Sequence, residues 1–155
     1  MENAPYVDNS YKWAGGGFLS TTDDLLKFGN AMLYSYQNKN GIINKETVEM
    51  MWTPVTNSRL PWDVDGGYGM GWGVVKTQTN FPHCNSREFY VSHTGGAIGA
   101  SSVLLILPRE DPPIGISTSS NQTRGVVVAM IVNMQSVGLN KTALEIAQLF
   151  KNIEL

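Results

Sequence analysis

Residues 100–107 read Ala-Ser-Ser-Val-Leu-Leu-Ile-Leu, and this run is typical of a β-strand that is buried on both faces. Residues 126–134 form a second apolar run of the same kind. Residues 68–76 and 88–92 either alternate apolar and polar side chains or carry β-branched and aromatic ones, as strands do. These four segments predict an antiparallel sheet in the second half of the chain.

Helices are predicted on both sides of this sheet along the chain. After three glycines at residues 15–17, which predict a turn or a close backbone approach, Ser20 or Thr21 can cap a helix. A second short helix is expected at residues 45–51, and a closing helix has Asn140 as its predicted N-cap. The apolar faces of the first and last helices comprise Leu25, Leu26, Phe28, Met32 and Leu33, and Ala143, Leu144, Ala147, Leu149 and Phe150.

The order of helices, strands and a closing helix predicts the α+β class. Loops are expected at residues 53–67 and 109–124, which carry prolines and polar residues. Three or four strands with one closing helix would leave a broad apolar sheet face bare, which indicates that further sequence completes the fold. Residues 1–60 are therefore expected to be part of a helical region with a linker, and residues 61–155 the strands and closing helix of the same domain.

Composition narrows the possible functions. The 155 residues are 42% hydrophobic and 15% charged, with a net charge of −2 and no basic stripe, so nucleic-acid binding is not expected. Cys84 is the only cysteine, which excludes an intrachain disulfide, and His83 and His93 are the only histidines. A transition-metal site is therefore not expected, and neither is another cofactor. The longest apolar runs, residues 103–107 and 126–132, are too short to span a bilayer.

The segment most suited to chemistry is residues 92–99, Ser-His-Thr-Gly-Gly-Ala-Ile-Gly. A strand that ends in polar residues and two glycines can bring its backbone against a ligand. Thr94 can hydrogen-bond a carboxylate, the N–H after the turn can point at a developing oxyanion, and His93 can donate a proton. The alternative is that His93 and Thr94 merely end a strand and the glycines make a turn.

Three aromatic residues are further candidates for a cleft. Tyr68, Trp72 and Trp13 can line a substrate site. Because tryptophan buries a large area, Trp72 and Trp13 are interpreted as packing residues.

Five segments occur together in an order found in one known family. They are residues 14–21 with the helix at 23–29, residues 68–72, residues 93–96, a strand ending in Pro108, and residues 126–133 followed by a helix. In this order the chain resembles the serine β-lactamase-like proteins of the class C and penicillin-binding type. The resemblance covers nearly the whole chain, and residues 8–20, 50–54, 93–108 and 133–143 are most similar to mitochondrial members of the family in animals.

The resemblance implies roles for the glycine-rich segment. The family carries three motifs, Ser-x-x-Lys, Tyr-x-Asn or Ser-x-Asn, and Lys/His-Thr-Gly, and His93-Thr94-Gly95 matches the third. By this resemblance, His93, Thr94 and Gly95 bind substrate, Thr94 engages a carboxylate or carbonyl, and the Gly96 N–H forms half of an oxyanion hole. His93 stands where many relatives have lysine. Lysine stays charged at neutral pH and histidine can lose its charge there, so electrostatic help from this position would depend on pH.

The nucleophile motif is absent from these residues. No serine stands three positions before a lysine, so the chain has neither the Ser-x-x-Lys serine nor the lysine beside it. Tyr36-Gln37-Asn38 matches the second motif formally, but it follows the first helix and is interpreted as a chance match. The resemblance thus implies a partial β-lactamase/transpeptidase-like fold that lacks its N-terminal strands and nucleophile helix. We expect the chain alone not to catalyse acyl transfer.

Three functions remain open from the sequence. The first is the C-terminal part of a serine hydrolase that cleaves a small peptide or amide substrate through an acyl-enzyme. The second is a non-catalytic binding module, or one that self-associates through an exposed sheet. The third is an unrelated α+β domain with accidental matches. Residues 1–10 do not read as a targeting sequence, so a mitochondrial location is implied by the resemblance alone.

Overall fold

A computed structural model describes residues 5–38, 40–78, 87–109, 123–151 and 153 of the chain. His83, Cys84 and most of the predicted loop at residues 109–124 lie outside these ranges. The described elements are a π-helical turn (Trp13–Gly17), α1 (Thr22–Gln37), α2 (Lys45–Met51), β1 (Gly67–Tyr68), β2 (Gly73–Val75), β3 (Tyr90–Ala97), β4 (Ala100–Pro108), β5 (Gly125–Val132) and α3 (Asn140–Phe150). The predicted α+β class is confirmed.

The five described strands form one antiparallel sheet in the order β1-β2-β3-β4-β5. β4 lies inside the sheet and most of its side chains are buried, as its continuous apolar run predicts. β5 is an edge strand of the described sheet, and Val128 is its only buried residue. The predicted burial of β5 on both faces is confirmed only in part, because its side chains pack on both faces of the sheet but most of them stay partly exposed. Its apolar run resembles that of β4, but no described strand pairs with its outer edge.

The segment predicted as one strand at residues 68–76 is in fact a tight hairpin. β1 and β2 pair with each other, and Gly71 adopts a φ of 75° in the turn between them. The Gly69 N–H donates to the Trp72 carbonyl at 2.7 Å, and a Cβ at Gly69 would run into the backbone carbonyl of Met51. Glycine is therefore required at Gly69 because the backbone of α2 approaches so closely.

The buried side chains form two cores, one on each face of the sheet, because successive strand residues point to opposite faces. The core beneath α3 contains Val75, Tyr90, Val103, Leu105, Leu107, Val128, Leu139, Ala143 and Ala147. The core beneath α1 and α2 contains Met32, Leu33, Val48, Trp52, Trp72, Val74, Val91, Leu104 and Ile106. Helices thus cover both faces of β4, and the broad bare face expected from the sequence is not found there.

The predicted N-cap is confirmed for α1 and is wrong for α3. Thr21 caps α1 as predicted, since its Oγ1 accepts the Asp24 N–H at 3.2 Å. The Lys27 ammonium, 2.8 Å from the Asp24 carboxylate, holds the pKa of that carboxyl below its usual range. Asn140 is not the N-cap of α3 but its first residue, and Leu139 precedes it with no side-chain cap.

The last turn of α3 also departs from the predicted apolar face. Ala143 and Ala147 are buried as predicted, but Leu149 and Phe150 are exposed. α3 packs on β4 and β5 through its small residues, so the helix lies close to the sheet.

Ion pairs fix the chain where it enters β3. The Arg87 guanidinium lies 2.7 Å from an Asp63 carboxylate oxygen, and the Lys151 ammonium at the end of α3 contacts the Glu88 carboxylate. Burial, together with the charge of Asp63, raises the pKa of Tyr90 to about 12. The residues just before β3 are therefore tied both to the loop before β1 and to the end of α3.

Candidate functional site

The glycine-rich segment lies within β3 and not after it. The strand continues through His93, Thr94, Gly95 and Gly96 to Ala97, and it pairs with β4 along this whole length. The alternative interpretation, in which His93 and Thr94 end the strand and the glycines make a turn, is therefore wrong, and the strand predicted at residues 88–92 extends to Ala97. Ser102 and Ser101 lie opposite the two glycines, and the reversal comes later, where Gly99 has a φ of 86°.

One edge of β3 has no paired strand beside this segment. β2 pairs with β3 only as far as Ser92, and no described strand pairs with residues 93–97 on that side. Because successive residues of an antiparallel strand direct their N–H and C=O groups to alternate edges, some of these groups face the unpaired edge. His93, Gly95 and Gly96 are exposed, and Thr94 is half-buried. An extended ligand can therefore reach the backbone here; residues 93–97 are called the open edge below.

A tyrosine from β1 meets the histidine of this edge. The Tyr68 Oη lies 2.8 Å from His93 Nε2, and the two rings are 6.1 Å apart at an angle of 63°. Tyr68 is paired with Gly73, which is paired with Ser92, so Tyr68 lies level with the residue that precedes His93 on β3. The sequence suggested Tyr68 as a possible cleft residue, but no local pattern indicates its contact with a residue 25 positions away.

The two glycines of the open edge differ in the space that surrounds them. A Cβ at Gly95 would overlap the Ser102 hydroxyl on β4, whereas a Cβ at Gly96 would have nothing within 4 Å. Neither glycine has a positive φ. A side chain at Gly95 would therefore need the Ser102 hydroxyl to rotate away, whereas Gly96 leaves open space above the strand where a ligand can lie.

We expect Gly95→Ala to lower the free energy of unfolding by about 1 kcal/mol, because the Ser102 hydroxyl must rotate away from the added Cβ. Gly96→Ala is expected to leave stability unchanged or slightly raised, since alanine restricts the unfolded chain. Adding Ser102→Ala to Gly95→Ala should restore stability, because the added Cβ would then lie 3.8 Å from the Cβ of residue 102. Urea unfolding of these three variants and of the unchanged chain measures this. Equal losses of unfolding free energy for both glycine variants would contradict the close contact of Gly95 with Ser102. So would a double variant that is no more stable than Gly95→Ala.

The formal Tyr-x-Asn match has structural contacts of its own. Tyr36 packs on Trp52 with a ring separation of 4.7 Å. The Gln37 amide donates to the carbonyl of Arg124 and accepts its N–H, both at 2.7 Å, and Asn38 donates to the Tyr34 carbonyl. These contacts fit the interpretation that the match arose by chance.

The two tryptophans interpreted as packing residues differ. Trp72 is 4% exposed, and its ring stacks on Phe28 and meets Trp52 edge-on, so it is a packing residue. Trp13 is 64% exposed in the turn Trp13–Gly17, and the packing interpretation is wrong for it among the described residues. The local sequence does not show which of the two tryptophans is buried, because each is followed by a glycine within two residues.

Two features of other functional classes are absent from the described ranges. None of their helices is long and apolar enough to cross a membrane. No group of three or more His, Cys, Asp or Glu side chains is placed there to hold a metal ion.

The chain belongs to the β-lactamase family, whose profile matches residues 1–148. The resemblance identified from the five ordered segments is thereby confirmed. The chain is 56% identical to the protein named "Serine beta-lactamase-like protein LACTB, mitochondrial" of Homo sapiens, and the same identity holds for the proteins of that name in Mus musculus and Bos taurus. Each match covers 95% of this chain and 28% of the relative, so the chain spans little more than a quarter of these relatives' length.

Proposed function

We propose that this chain is the C-terminal portion of a single β-lactamase-like domain in a serine hydrolase, and that it supplies the substrate-binding wall of the active site. The open edge of β3 carries the proposal, because it presents His93-Thr94-Gly95 of the family's third motif on an accessible strand. Membership of the β-lactamase family supports the same function.

The residues of the open edge have complementary tasks in this proposal. The Thr94 hydroxyl donates to a substrate carboxylate or carbonyl, and His93 precedes it on the same edge. The Gly96 N–H donates to the oxyanion that forms when the scissile carbonyl is attacked. Donors fixed in a strand stabilise this charge with little reorganisation. Gly95, with no side chain, allows β3 and β4 to pair closely beneath the site.

The nucleophile comes from outside these 155 residues in this proposal, because they contain no Ser-x-x-Lys. That serine would attack the carbonyl of a small peptide or amide, the amine would leave with a proton, and water would hydrolyse the acyl-enzyme. The names of the relatives support a mitochondrial location.

A second candidate function is a non-catalytic binding or self-assembling module on the same fold. The observation that favours it is a group of exposed apolar side chains near the start of the described chain: Tyr6, Tyr11, Trp13, Phe18 and Leu19. Exposed groups of this kind are typical of surfaces that contact other protein.

The test is covalent labelling with a fluorescent fluorophosphonate. Two proteins are compared: this chain, and a chimera in which it replaces the matching segment of the human relative. We expect no labelling of the chain alone and labelling of the chimera, lost when the serine of the chimera's Ser-x-x-Lys motif is replaced by alanine.

Labelling of the chain alone would contradict the assigned lack of a nucleophile. A chimera that stays unlabelled while the human protein is labelled would contradict the proposed wall and favour the binding or assembly function.

A further inference from the structure

The hydrogen bond between Tyr68 and His93 has a role beyond packing. We propose that Tyr68 is a positioning residue: its hydroxyl donates to His93 Nε2 and thereby fixes the ring with its proton on Nδ1. This inference rests on the proposed function, because it assigns a task to Tyr68 at the edge that would bind substrate.

Tyr68 is held firmly enough to act as a support. Its N–H donates to the Ser58 hydroxyl at 2.8 Å, and its carbonyl accepts the Val55 N–H at 2.9 Å. The next residue, Gly69, closes the hairpin by donating to the Trp72 carbonyl, and Trp72 is buried. The backbone of Tyr68 is therefore tied on both sides, which fixes the point from which its phenol extends towards His93.

His93, by contrast, depends on this contact for its orientation. Its side chain is exposed, and among the described residues Tyr68 is the hydrogen-bond partner of its ring. An exposed imidazole without a partner samples several rotamers and favours the tautomer that is protonated on Nε2. A phenol O–H is a stronger donor than a neutral imidazole N–H, so the Tyr68 hydroxyl donates to Nε2. The neutral ring then carries its proton on Nδ1, the nitrogen left for a ligand.

The contact is polar and not a packing contact in the core. Tyr68 is 36% exposed, and its ring meets the imidazole edge-on. Tyr68→Phe therefore removes the hydroxyl and keeps the ring, so a purely structural role predicts no change at His93.

Long-range ¹H–¹⁵N NMR of this chain tests the contact directly. The chain has two histidines, and His83→Gln assigns their signals. At a pH where His93 is neutral, we expect its Nδ1-protonated tautomer to dominate, and Tyr68→Phe to shift the ring towards the Nε2-protonated tautomer. Tyr11→Phe, at a tyrosine that is 79% exposed, is the matched control and should leave the His93 signals unchanged.

The chimera tests the consequence for the site. We expect Tyr68→Phe to slow labelling by a fluorescent β-lactam, whose carboxylate the open edge binds in the proposed site, by about tenfold, the loss of one hydrogen bond that orients a site residue. Unchanged His93 signals, or changed signals with an unchanged labelling rate, would overturn the positioning role. If no form of the chimera is labelled while the human protein is, the proposed function fails. The task of Tyr68 in substrate binding then fails as well. The NMR measurement still shows whether Tyr68 sets the tautomer of His93.

Discussion

Trp72→Ala is expected to lower the free energy of unfolding of this chain by about 3–5 kcal/mol, the usual loss for a large aromatic side chain in a core. The ring of Trp72 stacks on Phe28 at 6.2 Å and meets Trp52 edge-on at 6.0 Å. It thus joins α1 and the end of α2 to the sheet at β2. Removing it leaves a cavity that these packed elements can close only in part.

Trp13→Ala is the matched control for this prediction. The same chemical change is made at a side chain that is 64% exposed, so the expected loss is within about 0.5 kcal/mol. Urea unfolding followed by circular dichroism compares the two variants. Equal losses, or a loss for Trp72→Ala below about 1 kcal/mol, would contradict the packing described above.

The parts of the fold that local patterns determine were predictable from the sequence. The apolar run of β4 indicates a buried strand, and Thr21 before an amphipathic segment indicates the start of α1. β5 has a similar apolar run but lies at an edge of the described sheet. Burial of a strand depends on which neighbours it has, and a run of residues does not contain that information.

Glycine was the residue type most open to misinterpretation. The glycines of the open edge read as a turn because glycine favours turns, yet they lie within a paired strand. Gly69 and Gly71, in contrast, belong to a turn inside a segment that reads as one strand. Whether a glycine ends a strand or allows a close approach depends on what lies opposite it, such as Ser102 opposite Gly95.

The candidate site was predicted in part. His93, Thr94 and Gly95 were identified by the third motif of the family and Gly96 by the role that the resemblance implies, and all four lie within β3. The partner of His93 was not predictable, because Tyr68 reaches it across two strand pairings. The unpaired edge was not predictable either, since it exists only because β2 is shorter than β3.

Thr94→Val is expected to have the largest effect on the proposed chemistry. Valine keeps the shape of the side chain and its place opposite Val103 on β4, so the fold should not change. The loss of the hydroxyl removes a hydrogen bond to a charged carboxylate. The rate at which a carboxylate-bearing β-lactam labels the chimera should therefore fall about 10- to 100-fold. Thr142→Val on the exposed side of α3 is the control and should leave the rate unchanged.

The most direct measurement compares two reagents on the chimera and its Thr94→Val variant: a fluorescent β-lactam, which bears a carboxylate, and a fluorophosphonate, which bears none. The account predicts that the variant loses reactivity towards the β-lactam and keeps it towards the fluorophosphonate. Equal reactivity of both proteins towards the β-lactam, or a parallel loss towards both reagents, would contradict the claim that this edge of β3 binds the substrate carboxylate.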